Sequence, residues 1–125
     1  MYMKNDSELS DELKHVARGG GTEAPFSGKY WDAHEKGMYR CAICGNELFS
    51  SKTKFNSGTG WPSFTDPVNL ENIELKPDHA HGMNRTEVKC KNCGAHLGHV
   101  FDDGPQDKGG KRYCINSVCL ELDGK

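Results

Sequence analysis

The amino-acid sequence predicts a mainly β domain, an antiparallel sandwich or partly closed roll with one short helix at its N-terminal end. Three observations predict this class. From about residue 22 onward, short apolar segments alternate with clusters of Gly, Pro, Asn and Asp, as short strands alternate with turns. A helical period occurs only near the N-terminus. Two Cys-x-x-Cys sequences, each followed by glycine, resemble the paired turns that hold a metal.

The elements can be assigned in chain order. A helix is predicted over residues 11–18, capped by Ser10 and ended by Gly19, with one apolar stripe formed by Leu9, Leu13 and Val16. Strands are predicted over residues 38–43, 68–75, 85–89, 96–101 and 111–120. Turn-forming sequences at 57–60, 76–78 and 102–105 separate them.

Length and composition limit the domain organisation and the classes of function that the chain can have. The 125 residues predict a single domain over 21–125 preceded by an N-terminal extension over 1–20. Because only 34% of the residues are hydrophobic, we expect a small core that needs a metal or covalent clip. The formal charge of −2 disfavours a nucleic-acid partner. No apolar run is long enough for a membrane span and no signal peptide is evident, so a cytoplasmic protein is expected.

Four cysteines form the two Cys-x-x-Cys-Gly sequences: Cys41, Cys44, Cys90 and Cys93. Such turns bring two thiolates together, and two turns supply the closed tetrahedral set of one structural zinc. Paired disulfides are unusual in a reducing compartment, and a redox Cys-x-x-Cys normally occurs once, at a helix start. An iron centre could use the same four ligands. A closed site of four sulfurs predicts a structural role that couples metal binding to folding.

Two cysteines, Cys114 and Cys119, remain. On a strand, Arg112, Cys114 and Asn116 project to one face, which places a cation, a thiol and an amide in a row. Arginine favours the nucleophilic thiolate, so Cys114 is a candidate nucleophile, whereas a structural thiol would more often have apolar neighbours.

His96 and His99 follow the second Cys-x-x-Cys turn directly. They could be zinc ligands, but four cysteines already complete that set. Histidine titrates near neutrality, so both are candidate proton donors. Trp61, between glycines and Pro62, could be displayed beside a pocket or could simply fill the core.

Five motifs occur in the order typical of one enzyme family. They are Gly21-Thr-Glu-Ala-Pro-Phe26, Tyr39-Arg-Cys-Ala-Ile-Cys-Gly45, Ser57-Gly-Thr-Gly-Trp-Pro-Ser-Phe64, His96-Leu-Gly-His-Val-Phe-Asp-Asp-Gly104 and Arg112-Tyr-Cys-Ile-Asn-Ser117. Over residues 20–122 the chain thus resembles the methionine-R-sulfoxide reductases of the B type.

The resemblance implies two antiparallel sheets, one zinc on the four cysteines, and reduction of the R epimer of free or protein-bound methionine sulfoxide. It implies Cys114 as nucleophile, with His99 as proton donor and His96, Arg112, Asn116 and Asp103 in the site. Trp61 would hold the substrate methyl group, and Cys114 would become a sulfenic acid. Thioredoxin is the implied reductant, and a monomer is expected.

One position departs from the family pattern. Many members carry a resolving cysteine where this chain has Thr59, and threonine forms no disulfide. Cys119 is the obvious substitute, but on a continuous strand its α-carbon would lie about 16 Å from that of Cys114. A disulfide needs about 7 Å or less. Direct recycling by thioredoxin is therefore the leading hypothesis, and a Cys114–Cys119 disulfide is the alternative. A zinc-clipped binding module without catalysis is the rival function.

Overall fold

Two antiparallel sheets and one helix make up the computed structural model of the protein, which describes residues 6–79, 82 and 85–123. Helix α1 spans Asp11–Ala17. The strands of this part of the chain are β1 (Met38–Cys41), β2 (Glu47–Ser50), β3 (Lys54–Phe55), β4 (Ser63–Phe64), β5 (Ile73–Asp78), β6 (Arg85–Cys90), β7 (His96–Phe101), β8 (Arg112–Ile115) and β9 (Leu120–Asp123). The predicted mainly β class is confirmed.

The two sheets enclose an aromatic core. The smaller sheet has the order β2-β1-β9, and the larger has the order β3-β4-β8-β7-β6-β5. Tyr39 and Phe49 of the smaller sheet meet Phe64 of the larger one. Phe49 stacks on Phe64 with ring centroids 4.5 Å apart, and Tyr39 meets Phe64 edge-on at 5.2 Å. All three rings are fully buried, so aromatic packing joins the sheets.

Helix α1 packs on this core and begins as predicted. The Ser10 hydroxyl accepts a hydrogen bond of 3.1 Å from the Leu13 amide. Val16 is 1% exposed, so the apolar stripe faces inward. Gly20, and not Gly19, takes the left-handed conformation after the helix, with φ of 72°. No helix among the described residues is both long and apolar enough to cross a bilayer. The division into residues 1–20 and 21–125 stays a prediction, and residues 1–5 lie outside the described part.

The predicted continuous strand over residues 111–120 is wrong. Strand β8 ends at Ile115, a 3-10 turn spans Ser117–Cys119, and the chain then enters β9 of the other sheet. The Cys119 amide donates to the Asn116 carbonyl at 3.0 Å, which closes the turn. The sequence did not reveal this crossing, because no Gly or Pro separates Ile115 from the apolar residues Val118, Cys119 and Leu120.

The predicted strand over 68–75 is displaced. A 3-10 turn occupies Leu70–Asn72, since the Asn69 side chain accepts a hydrogen bond from the Glu71 amide at 2.9 Å. Strand β5 then continues through residues 76–78, which the sequence had suggested as a turn. Pro77 is tolerated because β5 is an edge strand of its sheet.

Candidate active site

The four cysteines of the Cys-x-x-Cys turns come together, and their sulfur atoms all lie within 4.8 Å of one another. Cys41 Sγ lies 3.6 Å from Cys93 Sγ, and Cys44 Sγ lies 3.6 Å from Cys90 Sγ. Four thiolates at a Zn–S distance of 2.3 Å would have sulfurs about 3.8 Å apart. The cluster therefore has the size and ligand type of a closed tetrahedral zinc site.

The two Cys-x-x-Cys turns have the same backbone hydrogen bond. Gly45 donates its amide to the Cys41 carbonyl at 2.8 Å, and Gly94 does the same to Cys90. Both glycines have positive φ, 77° and 76°, which explains why glycine follows each pair. The turns lie after β1 and β6, which belong to different sheets. A metal here would join the two sheets.

Strand β8 brings Arg112 and Cys114 to a pocket on the larger sheet. Both side chains are half-buried, while Tyr113 and Ile115 between and after them are buried in the core, as strand alternation predicted. The pocket is lined by Thr22, Thr59, Trp61, Arg85, Gly98, His99, Phe101, Arg112, Cys114, Ile115 and Asn116. Three of the candidate residues outside the cysteine cluster do not line it: His96, Asp103 and Cys119.

His99 lies directly beside Cys114. Strands β7 and β8 pair so that His99 is opposite Cys114, and directly opposed residues share one face with β-carbons about 5 Å apart. His96 lies next to His99, with ring centroids 5.3 Å apart. Residues three apart on a regular strand face opposite sides, but β7 has a bulge at Leu97, because Lys89 pairs with His96 and Val88 with Gly98. The bulge places both histidines on one face.

Each histidine has a carboxylate partner that the sequence did not reveal. His99 Nε2 lies 2.7 Å from Asp78 Oδ2, and His96 Nδ1 lies 2.6 Å from Glu87 Oε2. Burial lowers the pKa of His99, while its hydrogen bond to Asp78 acts in the opposite direction. His96 Nε2 is buried without a hydrogen-bond partner among the described residues.

Arg112 is fixed by two neighbours. Its guanidinium makes two hydrogen bonds to the Asp103 carboxylate, of 2.9 and 3.2 Å, and lies 4.5 Å from the centroid of the Phe101 ring. The ion pair keeps the pKa of Asp103 below its ordinary value. Asp103 thus contacts Arg112 from outside the pocket.

The environment of Cys114 contains opposing effects. Burial raises the pKa of the thiol and is the largest contribution. The charge of Arg112 and hydrogen bonds with Thr59 and Arg112 act to lower it, but the net direction is upward. Arg112 therefore lowers the pKa of Cys114, as predicted, but by less than burial raises it.

The segment around Glu23 holds two pocket residues in place. The Trp61 indole donates to the Glu23 carbonyl at 3.0 Å, and the Glu23 amide donates to Asn116 Oδ1 at 2.9 Å. Asn116 Nδ2 donates to the Leu97 carbonyl at 2.9 Å, which leaves its second N–H for the pocket. The Glu23 carboxylate accepts from the Val118 amide at 2.9 Å. Trp61 is therefore a fixed wall of the pocket rather than a core residue.

Cys119 lies behind the site. It is 1% exposed, and its sulfur contacts the His96 carbonyl at 3.3 Å. Burial strongly raises its pKa. The estimate of about 16 Å between the two α-carbons assumed a straight strand that the structure does not contain.

Sequence reasoning did not identify Glu23, Asp78, Arg85 or Glu87. Glu23 had a signal, because it belongs to the first of the five motifs. Asp78 and Arg85 face each other across β5 and β6 and form an ion pair of 3.2 Å. That pair could not be foreseen while residues 76–78 were interpreted as a turn.

Comparisons with known proteins identify the family of this chain. Residues 9–124 match the SelR domain. The peptide methionine sulfoxide reductase MsrB of Burkholderia mallei is 51% identical over 128 residues, covering 99% of this chain and 90% of that protein. The proteins of the same name from Burkholderia thailandensis and Burkholderia cenocepacia are each 50% identical with the same coverage. The chain therefore belongs to the SelR-domain family of peptide methionine sulfoxide reductases.

Proposed function

We propose that the protein reduces the R epimer of methionine sulfoxide, free or within proteins, with Cys114 as the nucleophile. The observation that carries the proposal is the direct opposition of Cys114 and His99 across β7 and β8. A sulfur nucleophile and a proton donor then act from the same face of one pocket. A binding module without catalysis would need neither.

The reaction transfers one oxygen atom. The Cys114 thiolate attacks the sulfoxide sulfur, and protonated His99 donates a proton to the sulfoxide oxygen. The oxygen passes to Cys114, which is oxidised by two electrons to a sulfenic acid, while the substrate sulfur is reduced to methionine. Because His99 Nε2 contacts Asp78, its Nδ1 is the nitrogen available to the substrate. His96, held by Glu87, borders His99 and keeps a second imidazole beside the donor.

Trp61 supplies the apolar wall for the substrate methyl group. Its indole N–H is occupied by the Glu23 carbonyl, which fixes the ring at the pocket edge. Arg112 and the free N–H of Asn116 offer polar contacts elsewhere in the pocket. Such a split between apolar and polar walls favours one configuration at the sulfoxide sulfur, and we assign this as the R configuration.

We propose that thioredoxin recycles the sulfenic acid directly. Two thiols reduce it to the Cys114 thiol with release of water and formation of the reductant's disulfide. The alternative internal resolver, Cys119, is buried against the His96 carbonyl, whereas Cys114 faces the pocket. A Cys114–Cys119 disulfide would need the turn Ser117–Cys119 to open.

The four-cysteine cluster is proposed to hold one zinc ion with a structural role. All four ligand positions are filled by sulfur, so the metal would join the sheets and leave the chemistry to Cys114. We further propose that the protein acts as a monomer in the cytoplasm.

Separated R and S epimers of methionine sulfoxide, assayed with dithiothreitol, test the reaction. We expect turnover of the R epimer alone and none with Cys114→Ser. Turnover of the S epimer, or activity of Cys114→Ser, would refute the assignment.

Recycling is tested by counting free thiols after one equivalent of substrate. We expect one thiol to be lost and Cys119→Ser to keep thioredoxin-dependent turnover. Loss of two thiols, with a linked Cys114–Cys119 peptide in the mass spectrum, would exclude the direct route.

A further inference from the structure

A chain of three hydroxyl groups leads to the Cys114 sulfur. Ser63 Oγ lies 2.8 Å from Ser57 Oγ, which lies 2.8 Å from Thr59 Oγ1. Thr59 and Cys114 line the same pocket, and Ser63 lies directly opposite Cys114 in the pairing of β4 with β8. Hydrogen bonding to Thr59 acts to lower the pKa of Cys114. We infer that this hydroxyl chain (Thr59, Ser57, Ser63) reverses its direction when Cys114 ionises, so that Thr59 donates a hydrogen bond to the thiolate. The inference rests on the proposed role of Cys114 as nucleophile.

Each hydroxyl group has one hydrogen, so each can donate one hydrogen bond. This count fixes which hydroxyl donates to which along the hydroxyl chain. When Cys114 is a thiol, Ser63 donates to the Trp61 carbonyl, at 3.2 Å. Ser57 then donates to Ser63, Thr59 donates to Ser57, and the thiol proton points to Thr59. The sulfur receives no hydrogen bond from the chain in this state.

Ionisation removes the thiol proton and inverts every link. Thr59 can now donate to the sulfur because Ser57 donates to Thr59, and Ser63 donates to Ser57. Only the weaker contact of Ser63 with the Trp61 carbonyl is given up. The Thr59 amide still donates to Ser57 Oγ at 3.3 Å in both states, which holds the loop while the hydroxyls rotate. No proton moves along the chain, because the carbonyl at its end cannot accept one.

The hydroxyl chain is important because the other groups of the site do not offset the effect of burial, which raises the pKa of Cys114. Ser63 is fully buried, so the chain is anchored away from water. Among the charged and titratable groups around Cys114, Arg112, Arg85 and His99 line its pocket, while Glu23 acts against the negative sulfur. A donor that turns toward the sulfur only after ionisation stabilises the anion and not the thiol. Thr59, which cannot form a disulfide, therefore acts as a catalytic residue that contacts the reacting atom.

Alkylation of Cys114 by iodoacetamide across pH tests the inference without any sulfoxide. The zinc-loaded full chain is alkylated, digested, and the Cys114 peptide is quantified by mass spectrometry, so that the other cysteines do not contribute. We expect Thr59→Val, which keeps the shape and removes the hydroxyl, to slow alkylation at pH 7 about tenfold, as expected for loss of a charged hydrogen bond. Its limiting rate at high pH should equal that of the wild type, because full ionisation then needs no donor.

Two further variants separate hydrogen bonding from packing. Thr59→Ser keeps the hydroxyl and should alkylate within about twofold of the wild type, while Ser57→Ala removes the group that orients Thr59 and should slow the reaction about threefold. An unchanged pH profile in Thr59→Val, or equal slowing in Thr59→Val and Thr59→Ser, would overturn the inference. Should Thr59→Val fail to fold, an unchanged Ser57→Ala profile would overturn it equally. A wild-type protein that does not reduce methionine sulfoxide would instead refute the proposed function. The pH dependence of alkylation would still test whether the hydroxyl chain stabilises the Cys114 thiolate.

Discussion

Gly98 is the position where one added methyl group should separate Cys114, the proposed nucleophile, from His99, the proposed proton donor. It lies on β7 opposite Ile115, one residue from His99. A β-carbon at Gly98 would lie 2.0 Å from the Cys114 carbonyl oxygen and 3.0 Å from the Ile115 α-carbon. Both obstacles are backbone atoms, so no side-chain rotation can relieve the contact. In Gly98→Ala the strands β7 and β8 must move apart.

The size of the effect follows from that distance. Contact at 2.0 Å is more than 1 Å shorter than an ordinary van der Waals contact. Overpacking of this kind costs about 1–3 kcal/mol, and we expect the upper end, with a fall in Tm of about 10 °C. A displacement of about 1 Å between reacting groups costs on the order of 100-fold in rate. We therefore expect kcat/KM of Gly98→Ala to fall about 100-fold, beyond what unfolding explains.

Thermal melting and the R-epimer assay at 25 °C measure the two effects. Gly21→Ala is the matched control, because its β-carbon would meet the His15 imidazole, 2.3 Å from Nε2, which can rotate away. We expect the Tm of Gly21→Ala to lie within a few degrees of that of the wild type, and its kcat/KM to lie within about twofold. Melting of Gly98→Ala within 2 °C of the wild type, with more than half of its activity, would refute the reasoning.

Three further predictions concern the metal, the proton donor and the substrate wall. Removing the proposed zinc with a chelator should lower the Tm by more than about 10 °C, since a metal on the four cysteines would join the two sheets; equal melting curves with and without metal would contradict this. Asp78→Asn removes the charge that raises the pKa of His99, so the loss of kcat with rising pH should begin at lower pH, with Glu74→Gln on the same strand as control. An unshifted pH profile would exclude Asp78 as a positioning residue. Trp61→Ala should raise KM about tenfold or more with a smaller change in kcat, because it removes the proposed apolar contact with the substrate methyl group; a fall in kcat alone would count against that contact.

The parts of the fold that sequence could predict are those governed by local rules. The N-cap at Ser10 and the glycines after each Cys-x-x-Cys turn follow from backbone geometry within a few residues. The shared face of Arg112 and Cys114 follows from strand alternation. Each of these needs no knowledge of the rest of the chain.

The parts that sequence could not predict depend on partners far along the chain. Strand β4 has only two residues, and its existence rests on pairing with β3 and β8. Pro77 looked like a turn because its edge position in the sheet is a tertiary property. The partners of His96 and His99 come from β6 and β5, so no local pattern could have named Glu87 or Asp78.

The bulge at Leu97 lies between the second Cys-x-x-Cys turn and the candidate active site. At one end of β7, the turn fixes the register, because the Cys90 amide donates to the Ala95 carbonyl at 2.9 Å and Lys89 pairs with His96. At the other end, pairing with β8 fixes His99 opposite Cys114. Within the pairing of β6 with β7, Lys89 pairs with His96 but Val88 pairs with Gly98, so the register shifts by one residue. The extra residue is Leu97, whose side chain is fully buried. The cysteine turn thus sets the position of His96 beside His99, and a metal that stabilises the turn would stabilise the arrangement of both imidazoles without contacting either.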